Sequence, residues 1–127
     1  MHAPRLDVLL LSESPMQHRD GLLALRRRGL QVRVASGTRQ ALRRLQQAPA
    51  MVLVDLSSSS ALDGEVVARL NRMRGPTMVL ALHEGRLGDG LGEMANLSVD
   101  GFCRAHDWHP LERIAPVPGQ AASMLLH

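Results

Sequence analysis

Met51-Val52-Leu53-Val54-Asp55 is the stretch whose reading decides the fold: four apolar residues in succession, closed by one carboxylate. A run this short and this continuously apolar reads as a strand covered on both faces. An ionisable residue at its end sits where an open α/β sheet places its chemistry, outside the carboxyl ends of the strands. Four more such runs begin at Asp7 (DVLLLS), Leu30 (LQVRVAS), Thr77 (TMVLAL) and Val99 (VDGFCRA), so that the five starts are 23, 21, 26 and 22 residues apart. That interval accommodates one strand, one helix and two short loops.

The intervening stretches carry helix signals. Ser14-Pro15-Met16-Gln17 has a cap residue, a proline at the first helical position and Gln three residues after the Ser, the pattern of a capping box. Leu22, Leu23 and Leu25 follow, then Arg26, Arg27 and Arg28 near the end and Gly29 as a stop. A second helix is expected from about Thr38, with Ala41, Leu42 and Leu45 on its apolar face. A third is expected from about Asp63, with Val66, Val67, Leu70 and Met73. The fourth, Leu87 to Leu97, contains Gly88, Gly90 and Gly92, each costing about 1 kcal/mol relative to Ala inside a helix, and is expected to be short or late-starting.

Right-handed crossovers between parallel strands give a doubly wound α/β fold, a five-stranded parallel sheet with helices on both faces. Leu30, Val32 and Val34 alternate with polar residues, which puts the second strand at an edge. The order is then 2-1-3-4-5, and its switch point lies between strands 1 and 3, whose carboxyl ends are Ser12-Glu13-Ser14 and Asp55. Two carboxylates brought together there, Glu13 and Asp55, have the chemistry of a Mg²⁺ site, since that ion takes one or two carboxylates, waters and a phosphate oxygen.

Composition narrows the functional classes. At 127 residues the chain fits one compact domain, and its 45% hydrophobic content includes only two aromatics besides histidine, Phe102 and Trp108. Stacking platforms for single-stranded nucleic acid are therefore missing. All 15 basic residues are arginine; the runs Arg26 to Arg28 and Arg43 to Arg44 fall at helix ends and on solvent faces, so a nucleic-acid partner is not expected. Cys103 is the one cysteine, which excludes a disulfide framework and fits a reducing, cytoplasmic setting. The apolar run Val8 to Leu11 is too short for a secretory h-region or a membrane span. Gly88-Asp89-Gly90-Leu91-Gly92 lacks the G-x-G-x-x-G spacing of a dinucleotide cradle. His106, Asp107 and His109 surround Trp108 without a second pole and make a poor metal site.

From about Asp7 to Ile114 the sequence resembles the receiver domain of bacterial response regulators, the chemotaxis-regulator type of flavodoxin-like fold. The likeness lies in Leu10-Leu11-Ser12-Glu13-Ser14-Pro15, Val54-Asp55-Leu56, Asp63-Gly64, Val99-Asp100-Gly101-Phe102 and the spacing of the five units. It implies that Asp55 is the phosphoacceptor, that Ser12 and Glu13 stand where the family has an acidic pair, and that Glu13, Asp55 and the carbonyl of Ser57 are the Mg²⁺ ligands. It also implies that Ala81 replaces the switch hydroxyl ending strand 4 and that Ala105 replaces the lysine ending strand 5. An aspartyl phosphate adds roughly two negative charges, and neither alanine can help to hold them.

The expected protein is thus a degenerate receiver, a pseudo-receiver. It would be a non-enzymatic signalling module acting through protein contacts with a histidine kinase or a downstream regulator, with impaired aspartyl phosphorylation. Two alternatives stand beside it: a working receiver phosphorylated on Asp55 with Mg²⁺, and a small flavodoxin-like ligand binder or enzyme. Against the last, Ser12-Glu13-Ser14-Pro15 puts an acidic side chain where a flavin phosphate would need hydroxyls and amides. The receiver-like domain is expected over residues 1–114. Pro116 and Pro118 break the final helix, leaving a tail over 115–127 in which Gln120 to Leu126 resumes as a short helix. Met124, Leu125 and Leu126 in that tail are expected to cover an exposed sheet face in a homodimer.

Overall fold

The computed structural model describes residues 7–57, 63–83, 97–104 and 108. Five strands, β1 (Asp7–Leu11), β2 (Gln31–Ala35), β3 (Met51–Asp55), β4 (Met78–His83) and β5 (Gly101–Arg104), alternate with helices α1 (Arg19–Arg27), α2 (Thr38–Leu45) and α3 (Gly64–Met73). Every pairing is parallel and the order is β2-β1-β3-β4-β5, as the five-fold repeat predicts. The third helix starts one residue after its expected cap, and the second starts at Thr38. The Leu87 to Leu97 helix and the 115–127 tail lie outside the described residues, except that Leu97 itself is not helical and packs against the core.

The continuous apolar runs reflect burial on two sides. Successive strand residues face opposite sides of the sheet. Val8 and Leu10, Met51 and Leu53, and Leu80 and Leu82 join Leu22 and Leu25 of α1 in one core layer, with Cys103 buried as expected. Leu9 and Leu11, Val52 and Val54, and Val79 join Ala41 and Leu45 of α2 and Val66 and Leu70 of α3 in the other. This alternation also decides what lies at the strand ends. Ser12 continues the parity of Val8 and Leu10, and Asp55 that of Met51 and Leu53, so both fall on the α1 side.

Local signals close the helices. Gly29 adopts φ 87° after α1; its N–H donates to the Arg26 carbonyl at 2.9 Å and the Leu30 N–H to that of Leu25 at 3.3 Å, a Schellman stop. Asp63 caps α3, its carboxylate accepting from the amides of Glu65 and Val66 at 3.0 and 3.1 Å. At the opposite end of the sheet from Asp55, Asp100 accepts from the Val79 amide at 2.8 Å and pairs with Arg74 at 3.0 Å.

The capping box expected at Ser14 is not formed. Ser14 makes no side-chain cap bond, and the chain winds first through a 3-10 turn, Pro15–His18, held by the Gln17 amide on the Ser14 carbonyl at 3.0 Å. The Ser14 amide is directed instead at the hydroxyl of Ser12, 3.1 Å away. The tighter entry leaves His18 at the N-cap of α1 and buried, while Met16 and Gln17 on either side of the turn remain exposed.

The Asp63 cap gives a direct check on the fold. Asp63→Ala is expected to lower stability by about 1 kcal/mol and Asp63→Asn by much less, because asparagine also caps. Urea unfolding of the two variants measures the difference.

Candidate functional site

Strands β1 and β3 run in register from Val8 beside Met51 to Leu11 beside Val54. The next step along both places Ser12 opposite Asp55. Both are buried, Ser12 at 0% exposure and Asp55 at 2%. A carboxylate taken this far out of water needs compensating hydrogen bonds, and among the described residues Asp55 receives these four. Its Oδ2 accepts from the Ser12 hydroxyl at 2.7 Å and from His18 Nε2 at 2.9 Å. Its Oδ1 accepts from the Ser57 amide at 3.0 Å and the Ser57 hydroxyl at 2.6 Å.

The electrostatics follow from this shell. Burial by itself pushes the Asp55 carboxyl up, but the bonds from His18, Ser57 and Ser12 and from the Ser57 amide outweigh it and hold the group well below the usual carboxylate range. Asp55 is therefore ionised at neutral pH. An ionised carboxylate can only accept, so the proton of the shared bond resides on His18 Nε2.

His18 is in turn fixed from its other side. Its ring stacks on the indole of Trp108, with centroids 5.7 Å apart and planes 26° from parallel. Trp108 is buried and lies over Gly21 of α1, where a Cβ would come within 2.3 Å of indole Cδ2; the helix accommodates the ring only because that position has no side chain. Nδ1 of His18 is buried and has no hydrogen-bond partner among the described residues.

The residues singled out in the sequence divide around this centre. Asp55 lies at the switch point, and Ser57 is its neighbour through both amide and hydroxyl. Glu13, two residues past the end of β1, is exposed. Ala81 is fully buried beside Val54, whereas the β4 residue level with Asp55 is Leu82, followed on β5 by Cys103. Whichever of the two is taken as the switch position, β4 brings no hydroxyl to the carboxylate. Ala105 lies outside the described residues, and Arg104 before it is exposed. His18 and Trp108 were not foreseen as site residues.

A Mg²⁺ ion at Asp55 would have to displace donors that the carboxylate now holds. That ion takes oxygen ligands in near-octahedral array, and here both oxygens of the single buried carboxylate are occupied by N–H and O–H donors. No group of three or more His, Cys, Asp or Glu side chains with metal-binding geometry occurs among the described residues. The arrangement is that of an anion stabilised by the chain's own donors.

No protein-family model matches the chain, and no curated protein sequence matches it. Solved structures do resemble it. The receiver domain of a sensor histidine kinase from Pseudomonas aeruginosa PAO1, solved with a magnesium ion coordinated in its active-site cleft, aligns with a TM-score of 0.71 at 19% identity over 88% of this chain and 95% of that one. A CheY-like response regulator receiver domain from Methanospirillum hungatei JF-1 gives 0.71 at 12% identity over 95% and 97%. A chain of the co-crystal of the Saccharomyces cerevisiae histidine phosphotransfer protein Ypd1 with the receiver domain of its downstream response regulator Ssk1 gives 0.68 at 13% identity over 91% and 89%. This protein shares the fold of response regulator receiver domains.

Removing the carboxylate leaves four donors, on Ser12, His18 and Ser57, without an acceptor. Asp55→Ala is expected to cost about 3 kcal/mol at neutral pH. Because the folded-state pKa is depressed, the stabilisation from the Asp55 charge is complete above the unfolded value of about 3.9 and is lost as pH falls through the lower folded one. The difference in urea midpoint between wild type and Asp55→Asn should thus persist down to about pH 5 and shrink only below about pH 4. Narrowing that begins at neutral pH would contradict the shell described for Asp55.

Proposed function

We propose that this chain is a receiver-like signalling module that works through protein contacts, with its aspartate site held in one hydrogen-bonded state instead of being switched by phosphorylation. The observation that carries the reading is the closed shell of Asp55: 2% exposure, with both oxygens accepting from Ser12, His18 and Ser57. To accept a phosphoryl group, one carboxylate oxygen must be free to approach phosphorus in line while cations neutralise the developing charge. Here that oxygen would first have to shed its donors. The product would add roughly two charges beside Leu82, in a chain with no lysine.

Support for protein contacts comes from the fold and from the surface. The neighbours include a receiver domain of a histidine kinase and a co-crystal with a histidine phosphotransfer protein, which favours a partner from such a relay or a downstream regulator. An apolar hollow of about 370 Å³ lies between α1 and β2, lined by Met16, Leu22, Leu23 and Val34 with Arg19 and Arg26 at its margin. Met16, 74% exposed, stands over it. A second copy of the chain, joined through the 115–127 tail, belongs to the same reading. In this account the chain has no catalytic residue of its own.

The second reading, a working receiver, is favoured by one observation, the place of Asp55 at the carboxyl end of β3 beside the switch point. It requires Glu13, Asp55 and the Ser57 carbonyl to gather a Mg²⁺ ion after the Ser12 and His18 bonds have opened. Incubation of the full chain with acetyl phosphate and Mg²⁺, followed by intact mass and light scattering, separates the two. The closed-site reading predicts little adduct and a dimer mass that the donor leaves unchanged. Stoichiometric, Mg²⁺-dependent gain of one phosphoryl group, abolished by Asp55→Asn, rejects it.

A further inference from the structure

Asp55 and Trp108 are 53 positions apart in sequence and yet belong to one stack of groups. The order is carboxylate, imidazole, indole and then the bare backbone of Gly21. Asp55 Oδ2 bonds His18 Nε2 at 2.9 Å, the His18 ring lies against Trp108 at 5.7 Å between centroids, and the indole fills the notch that Gly21 leaves in α1. All three side chains are buried, at 2%, 4% and 6% exposure.

Two features make the indole the element that holds the others in place. His18 precedes α1 at the end of a 3-10 turn, where its backbone is outside the regular helix. Its second nitrogen, Nδ1, finds no hydrogen-bond partner among the described residues. A histidine usually has its orientation set by the partner of its other nitrogen. Here the flat contact with Trp108 takes that place. The contact is also specific in shape, since any side chain at Gly21 would displace the indole.

We infer that Trp108 is a latch, a positioning residue that keeps His18 on Asp55 and thereby makes closure of the aspartate site depend on the seating of its indole over Gly21. The inference rests on the closed-site reading and adds how that site opens. A partner surface or a second copy that displaces the indole from the notch at Gly21 lifts it from His18. The imidazole then swings out into the vacated space, and Oδ2 loses its His18 bond while keeping that from the Ser12 hydroxyl. The site is controlled by packing, with no phosphate required.

The test reads His18 directly. Diethyl pyrocarbonate acylates an accessible imidazole nitrogen, and peptide mapping distinguishes His18 from the other five histidines. In the folded full-length protein His18 is expected to be protected. Trp108→Ala and Gly21→Leu should each raise its modification rate roughly tenfold, through local opening, while Trp108→Phe, which keeps a flat ring, retains protection. Gly21→Leu removes no core group and improves helix propensity, so it decides the matter if Trp108→Ala does not fold. A third measurement uses the fact that Trp108 is the sole tryptophan and that the chain has no tyrosine: His18→Gln should shift its emission. Protection of His18 unchanged in Gly21→Leu, free modification in wild type, or emission indifferent to His18→Gln would each overturn the latch. Acetyl phosphate labelling of wild type would reject the closed site while leaving the footprint result standing, so the two ideas fail separately.

Discussion

A carboxylate withdrawn from water must recover from the protein the hydrogen bonds it gives up, and Asp55 recovers four from three residues. That requirement organises the end of the sheet. Ser12 is supplied by the neighbouring strand in register, Ser57 by the chain immediately after β3, and His18 by a turn wound more tightly than an α-helix. Two of the donors are themselves tied: the Ser12 oxygen accepts from the Ser14 amide, and His18 packs on Trp108. The result is a buried anion whose partners come from β1, β3, the turn before α1 and the segment after β5.

Such a shell works against chemistry at the same atom. In a site built for phosphoryl transfer the acceptor oxygen is exposed and the surrounding charges are provided for a product. Around Asp55 the donors serve the ground state of the carboxylate itself, and β4 contributes Leu82 at its level. A buried anion with a complete set of donors resists change, because any replacement must satisfy the same groups. On the proposed reading, Asp55 is then a structural reference point in a module recognised by its surface.

Much of the fold could be read from the sequence because its signals are local and periodic. The Met51 to Asp55 run, the alternation of Val32 with polar neighbours, Gly29 after a run of arginines and Asp63 before an apolar helix face each depend on a few adjacent residues, and the structure follows them. The position of Asp55 was legible for the same reason. Its partners were less so. Parity along β1 sets Ser12 on the α1 face with Val8 and Leu10, but the likeness to an acidic pair drew attention to Glu13. The spacing from Ser14 to Gln17 suggested an ordinary cap, and the 3-10 turn that buries His18 has no sequence signal of its own. Trp108 comes to His18 through tertiary packing across the sheet, which no local pattern encodes; the one available hint was Gly21, a glycine inside an otherwise good helix. The resemblance put Ala81 at the switch position ending strand 4, and the strand pairing sets Leu82 level with Asp55.

The central claim is that Asp55 is a buried, fully hydrogen-bonded anion, and the most direct measurement of it is the carboxyl carbon resonance of Asp55 followed by NMR from neutral pH into acid. A carboxylate held by Ser12, His18 and Ser57 shows no titration through the ordinary aspartate range near about pH 3.9 and changes only when the protein itself unfolds in acid. A resonance that titrates within that range in the folded protein, as for a solvated aspartate at an open site, would contradict the account.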